Sequence, residues 1–332
     1  MLGYVVHRLL IMIPTLIAIS IVIFVIIHLP PGDYFSTYIA ELQSQGERAN
    51  LAKIEFLKAH YGFDKPLWEQ YLYWVAGLLH GDMGYSFLYD MPVNQVVGDR
   101  LLLTFIVSFA TIVFTYLVAF PIGVYSATHQ YSMVDYGLSF LGFLGLATPS
   151  FLLALVLIYL AHVYFGISIG GLMDPRYLDQ PWSWGKVGSV FAHIWIPVVV
   201  IGTAGTASMI RRLRANLLDE LHKQYVVTAR AKGLPPRRVL LKYPLRMSLN
   251  PFISDIGSLL PHVISGAAIV SVVMSLPTTG PMLLDALRSQ DMFLAGSFLM
   301  FMASLTVIGV LLSDLALALL DPRIRLQAGR GT

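Results

Sequence analysis

Long apolar runs dominate the chain. The first runs from Leu9 to Leu29 without a charged side chain and stops at Pro30-Pro31-Gly32. About 20 helical residues at ~1.5 Å each cross a hydrocarbon core of ~30 Å. A signal-peptide core is only about 7–15 residues long, so this run predicts a retained spanning helix. Five more runs of spanning length follow, at Leu101–Thr128, Gly137–Phe165, Ile194–Ile210, Pro251–Leu276 and Phe293–Leu320. The fourth of the six is the shortest. Inside lipid each must be a helix, because an open strand would leave its backbone groups unpaired. The pattern predicts an all-α integral membrane protein with six transmembrane helices.

Composition agrees. Of 332 residues, 56% are hydrophobic and 12% charged, with a mean hydropathy of +0.70. Soluble domains carry about 25% charged residues, so much of this surface faces something other than water. With no cysteine, a disulfide framework, a thiolate metal site and a cysteine nucleophile are excluded.

The net charge of +3 matters less than where the charges lie. The connection Arg211–Asn250 holds ten Lys and Arg against two acids, Asp219 and Glu220, and the tail adds Arg323, Arg325 and Arg330. Basic connections stay in the cytoplasm. Six spans then place both termini and this connection inside, and the acid-rich segment from Pro30 to Arg100 outside.

Several spans carry residues that loosen helices or let them pack closely. Pro14, Pro121, Pro149, Pro197 and Pro261 each lack a backbone donor, and Gly202-Thr203-Ala204-Gly205-Thr206-Ala207-Ser208 is a nearly continuous run of small side chains. Static packing and helix sliding both fit this composition.

The external segment is patterned, not linker-like. Glu47–Tyr61 carries Leu51, Ile54, Leu57 and Tyr61 at helical spacing, with Gly62 as a stop. Asp64 is a candidate cap for a second helix, with Pro66 in its first turn and Gly81 beyond its end. Trp68, Tyr71 and Trp74, with Tyr85 beyond them, suit either a bilayer-interface helix or a docking platform for an external partner.

The most informative stretch is Tyr225-Val226-Val227-Thr228-Ala229-Arg230-Ala231-Lys232-Gly233-Leu234-Pro235-Pro236. Leu217, Leu221, Tyr225 and Ala229 recur every four residues and predict one apolar helix face, with Asp219 and Glu220 near its N-terminus. Arg230 and Lys232 fall in the last turn, and Gly233 supplies a positive φ that ends the helix. Pro235-Pro236 then turns the chain into a second short basic helix. An apolar face on a polar protrusion points to a protein partner.

These residues resemble the EAA loop of bacterial ABC importer permeases, and in particular the dipeptide/oligopeptide/nickel type. The general pattern is Glu-Ala-Ala, three residues, then Gly; here it is Val227-Thr228-Ala229, three residues, then Gly233. Further stretches resemble the same type: Arg8-Leu9-Leu10, Pro31-Gly32-Asp33, Asp64-Lys65-Pro66-Leu67-Trp68-Glu69-Gln70-Tyr71, Gly81-Asp82-Met83-Gly84-Tyr85-Ser86 and Leu320-Asp321-Pro322-Arg323-Ile324-Arg325. Ser275-Leu276-Pro277-Thr278-Thr279-Gly280-Pro281 departs from the Leu-Pro-Gly-x-Gly-like string of many peptide-type members.

The resemblance implies a type I importer transmembrane domain of the first-permease kind. Residues 1–29 would form the N-terminus and first span, 30–100 the external helical segment, and 101–332 the permease core with the coupling loop 211–250. It implies that Leu221, Tyr225, Thr228, Ala229, Arg230, Ala231, Lys232, Gly233, Leu234 and Pro235 couple the spans to an ATPase. The implied partners are a second similar permease, two ATPase subunits or domains that bind ATP and Mg, and an external solute-binding protein, all at a bacterial inner membrane and without nucleic acid. No cofactor is implied for this chain. The implied solute is a di- or oligopeptide, with an oligosaccharide or a nickel chelate as alternatives.

Other classes find less support. The chain has no Walker A pattern, no His-Glu-x-x-His and no Gly-x-Ser-x-Gly elbow. A secondary transporter would place ionisable residues near the midplane, whereas Asp255 and Asp314 fall toward the cytoplasmic ends of their runs. His162, His262 and Met274 are candidates to line a solute path.

The orientation is directly testable, because the parent has no thiol. Single cysteines at Asn50, Gln180, Lys232 and Ala328 should react with an impermeant reagent outside intact cells only at the first two. Labelling at Lys232→Cys would reverse the topology.

Overall fold

The protein is described here from a computed structural model, which covers residues 2–30, 34–35, 39, 58–59, 62–165, 171–177 and 180–320. The helices are α1 Leu2–His28, α2 Leu67–Leu79, α3 Val93–Thr128, α4 Met133–Ala147, α5 Ser150–Phe165, α6 Trp184–Leu221 and α7 Gln224–Ala231. They continue with α8 Pro236–Lys242, α9 Pro244–Ser248, α10 Asn250–Gly266, α11 Ala268–Val273, α12 Thr279–Arg288 and α13 Met292–Leu320. Two short antiparallel strands, β1 Tyr85–Ser86 and β2 Met91–Pro92, pair Tyr85 with Pro92 and Ser86 with Met91.

Among the described residues four helices are long and apolar enough to cross a membrane: α1, α3, α6 and α13. The expected third span is not one rod. It is the pair α4 and α5, bent by 102°. Thr148 is extended, with φ −82° and ψ 121°, as a residue before proline prefers, and Pro149 has no amide with which to continue α4. Counted as one span, the pair makes a fifth. The expected fifth run, Pro251–Leu276, holds α10 and α11, which join at Ala267 with helical dihedrals (φ −79°, ψ −13°) and with the Ala267 amide on the Val263 carbonyl at 2.9 Å and the Ser271 amide on the Ala267 carbonyl at 2.8 Å. Pro14, Pro121, Pro197 and Pro261 lie inside continuous helices.

The chain divides into two compact units. The first comprises Met1–Leu103 and Thr278–Ile308. Its core joins Val93, Val96 and Val97 of α3 to Met282 and Ala286 of α12 and to Leu294, Ala295 and Phe298 of α13. The hairpin beside this core is held by Asp291, which is fully buried. Its carboxylate accepts from the Ser86 hydroxyl at 2.7 Å, the Leu88 amide at 3.0 Å and the Leu294 amide at 3.2 Å. The last of these caps α13. Gly84, at φ +86°, lies so near Phe293 that a Cβ would stand 2.6 Å from its ring.

In the same unit α2 packs by its Tyr71 and Trp74 face. The Tyr71 and Ser20 hydroxyls share a hydrogen bond of 2.9 Å, and the Trp74 indole donates to Ser297 Oγ at 3.0 Å. Asp64 does not cap this helix; Pro66 occupies the N-cap without a side-chain bond. Gly62 and Gly81 take positive φ at the turns expected of them. The helix expected over Glu47–Tyr61 falls outside the described residues, apart from Lys58 and Ala59, which are helical.

The second unit comprises Thr104–Pro277 and Gly309–Thr332. Here α4 and α6 meet along a seam of small residues. A Cβ on Gly145 would stand 2.7 Å from Thr203, and one on Gly142 would touch Ala207 at 3.9 Å. The seam ends in a bidentate ion pair. Arg214 donates from Nε to Asp135 Oδ1 at 3.1 Å and from Nη2 to Oδ2 at 2.9 Å. Gly202 and Gly123 of the same unit are also packed tight, against Phe114 and Leu213. The absence of a side chain at Gly123, Gly145 and Gly202 therefore serves close approach of helices.

Burial pushes the Asp291 carboxyl above the ordinary carboxylate range, and its hydrogen bonds from Ser86, Leu88 and Leu294 only partly oppose this. Below its unfolded value the group is protonated in both states. As pH rises through that value toward the raised folded one, the folded state holds the extra proton and stability falls. Thermal unfolding in detergent should therefore lose less stability between pH 4 and pH 7 in Asp291→Asn than in the parent. An unchanged slope would count against this assignment.

Candidate functional site

Helix α6 runs on past its apolar centre to Leu221. The chain then breaks at His222 and Lys223, the latter extended at φ −69° and ψ 147°. The four-residue apolar repeat does not describe one helix. Leu217 and Leu221 belong to α6, while Tyr225 and Ala229 belong to α7. Asp219 and Glu220 accordingly sit in the last turn of α6, not at a helix start.

Helix α7 ends as Gly233 predicts. Gly233 has φ +74°, its amide donates to the Arg230 carbonyl at 2.9 Å, and the Leu234 amide donates to the Ala229 carbonyl at 3.4 Å. These are the two bonds of a Schellman motif, and Leu234 adds the expected apolar contact near Ala229. Pro235 then caps α8, with Pro236 at its first position, where no amide is needed.

The two short helices bury their apolar sides in each other. Val226 and Ala229 of α7 meet Val239 of α8, and Leu234 and Tyr243 cover them. Behind them, Leu245 of α9 packs with Leu217 of α6 and Ala127 of α3. The protrusion is thus a stiff continuation of α6. Ala229, predicted to face a partner, faces inward; Val226, which the four-residue repeat missed, is the other inner contact. The outer surface carries Tyr225, Val227, Thr228, Arg230, Ala231 and Lys232, together with Leu241 of α8, with Val227 52% and Leu241 64% exposed. Gly233 and Pro235 are exposed at the turn, whereas Leu221 and Leu234 are half-buried. The Tyr225 hydroxyl donates to the Glu220 carboxylate across the break. Partial burial and that carboxylate push the phenol pKa up, so it remains a donor.

The three candidates for a solute path do not converge. His262 borders a cavity of about 280 Å³ in the second unit, lined also by Thr115, Tyr116, Ser150, Ser208 and Arg212. His162 is exposed on α5. Met274 is fully buried, and its carbonyl accepts from the Gly171 amide at 3.0 Å. The hydroxyl residues around His262 carried no periodic signal, because they come from three separate helices.

The external aromatics also separate. Trp68 is 63% exposed, whereas Trp74 is buried, with its indole committed to Ser297. Tyr71 is half-buried against α1, and the Tyr85 hydroxyl donates to Asp90 at 2.8 Å. Trp74 therefore packs the unit's interior and leaves Trp68 as the exposed indole of α2.

Comparison with known proteins places this architecture. Residues 119–326 match the family model described as binding-protein-dependent transport system inner membrane component, and residues 1–110 match the N-terminal model of such membrane components. The oligopeptide transport system permease protein AppB of Bacillus subtilis is 33% identical over 326 residues, covering 98% of this chain and 99% of that protein. The dipeptide transport system permease protein DppB of Escherichia coli is 31% identical over 341 residues, covering 98% and 99%. A glutathione transport system permease protein, GsiC of Pectobacterium atrosepticum, is 31% identical over 326 residues, again covering 98% and 99%. With more than half its length matched by the family model, and relatives aligned nearly end to end, this chain belongs to the inner membrane components of binding-protein-dependent ABC transport systems.

Proposed function

We propose that this permease imports short peptides and that the α7–α8 protrusion couples its spans to a cytoplasmic ATPase. The observation that carries the coupling role is the rigid, self-packed pair of helices on the end of α6, with Val227 and Leu241 exposed on the outside. An exposed apolar patch on a basic, polar protrusion has little reason to face water and suits a groove on a partner. The stiffness matters as much as the patch. A lever transmits displacement only if it does not bend, and here both the α7 terminus and the turn into α8 are conformationally fixed.

The peptide assignment rests on relatives named for oligopeptide, dipeptide and glutathione transport, aligned along nearly the full chain. In the assembly we infer, a second permease of this type, two ATPase domains that bind ATP and Mg, and an external solute-binding protein complete the importer. The basic protrusion lies in the cytoplasm, and α4–α5 and α10–α11 count as one span each, giving six.

Two substitutions separate docking from folding of the protrusion. Val227→Asp adds a charge to the outer face and should leave thermal stability within about 0.5 kcal/mol of the parent, as surface changes do. It should nonetheless lose ATPase copurification and peptide uptake. Ala229→Glu forces a carboxylate against Val226 and Val239, at a cost of about 2 kcal/mol or more, and should loosen the protrusion itself. Gly233→Val meets no neighbour within 4 Å, so its penalty is the backbone strain alone, about 1–3 kcal/mol. Normal uptake with intact ATPase attachment in Val227→Asp would remove the coupling role from the outer face.

A further inference from the structure

The contact between α4 and α6 keeps one register along its length. Asp135 meets Arg214, Gly142 meets Ala207 and Gly145 meets Thr203. Seven residues and then three along α4 correspond to seven and then four back along α6, as antiparallel helices require. This helix is also the principal one on which α4 packs.

Small residues bring two backbones close but interlock little. Gly142 and Ala207 have no side chain long enough to catch on the opposite helix. A slip of one residue along such a seam is a shift of only ~1.5 Å.

The ion pair resists that slip. Arg214 holds both Asp135 oxygens, with Nε on Oδ1 at 3.1 Å and Nη2 on Oδ2 at 2.9 Å. A planar fork on two oxygens tolerates little displacement, and a shift of ~1.5 Å would take both contacts beyond hydrogen-bond length. The carboxylate cannot easily follow the arginine. It is buried, and its Oδ2 also accepts from the Tyr131 amide at 3.0 Å. Tyr131 has φ +65°, uncommon for a residue with a side chain. Ser132 caps α4 by accepting from the Asp135 amide at 3.1 Å. One carboxylate thus joins the turn before α4, the first turn of α4 and the last part of α6. Arg214 lies about two turns before α6 ends at Leu221, where the protrusion begins. On its other side α4 exposes Met133, Tyr136, Phe140 and Phe143, a face that offers lipid almost no directional bond with which to hold it back.

We propose that α4 and α6 move as one rigid body during transport, pinned in register by Asp135 and Arg214, so that displacement of the α7–α8 protrusion reaches the α4–α5 bend. Both are positioning residues for coupling, and the proposal rests on the coupling role of the protrusion. Of static packing and sliding, which the small residues alone allow equally, this seam takes static packing.

The test uses the complete transporter. A Cβ on Gly142 would stand 3.9 Å from the Ala207 Cβ, and this chain has no native thiol. Disulfides have a Cβ separation of about 3.8 Å, so Gly142→Cys with Ala207→Cys should cross-link on oxidation with copper phenanthroline. The oxidised parent, which lacks the pair, is the control. A cross-link between helices that move together should leave tri-alanine uptake and ATP hydrolysis unchanged. Asp135→Asn should cut uptake about tenfold while hydrolysis and ATPase attachment persist. Arg214→Lys keeps the charge and loses the fork, so it should do the same, and it carries the test if Asp135→Asn fails to assemble. In either background the cross-link should restore uptake, which it would not do for an ion pair that only neutralised a charge.

The inference is overturned if the disulfide does not form, if it stops uptake until reduced, if both single variants import normally, or if it fails to rescue them. Normal uptake in Val227→Asp would instead sink the coupling reading, whatever the cross-link does. A parent that hydrolyses ATP and imports no tri-alanine would sink the peptide reading. The seam is then judged by hydrolysis, which a cross-link between sliding helices would stop.

Discussion

A bilayer offers its contents no water, and that constraint shapes this protein more than any single contact. Every backbone donor and acceptor at membrane depth must find its partner within the protein. Long apolar helices answer the constraint for α1, α3, α6 and α13. Where the chain departs from the helix, at Thr148–Pro149, the Thr148 amide still reaches the Leu144 carbonyl and the Leu152 and Leu153 amides reach the Pro149 carbonyl, so the bend keeps its backbone groups paired.

Close packing gives the second unit its stiffness. In lipid the helices gain no hydrophobic drive from meeting one another, so they rely on intimate contact between small surfaces and on polar links. Gly145 against Thr203, Gly202 against Phe114, and the Asp135–Arg214 ion pair are such contacts. They hold α6 to its neighbours over much of its length. A displacement applied at the α7–α8 protrusion then has a rigid element to move, because Leu245 and Leu217 anchor the protrusion's base to that same helix.

The first unit solves a different problem. Its hairpin is too short to be stable alone, since two-residue strands bury almost nothing. An aromatic cluster of Phe35, Phe63, Phe87 and Phe293 supports it, Asp291 adds three hydrogen bonds, and the positive φ of Gly84 lets the chain pass against Phe293. Trp74, donating to Ser297, ties α2 to α13. These contacts give the polar segment after the first span a defined form without a large core of its own.

Much of this was legible in the order of residues. Apolar run length and the bias of Lys and Arg marked the spans and the protrusion, because solvation acts on each segment by itself. The end of α7 was equally legible, since Gly233 and Pro235-Pro236 restrict their own backbone whatever surrounds them. The breaks were not. Pro14, Pro121, Pro149, Pro197 and Pro261 look alike in sequence, yet only Pro149 ends a helix. A proline's freed carbonyl can be satisfied by neighbouring helices or by a cavity, and which of these is present is a property of the tertiary structure. Nor could the repeat of Leu217, Leu221, Tyr225 and Ala229 reveal the turn at Lys223, where neither Gly nor Pro stands. The packing of α7 on α8 through Val226, Ala229 and Val239 sets that turn, and so decides which face of the protrusion is left for a partner.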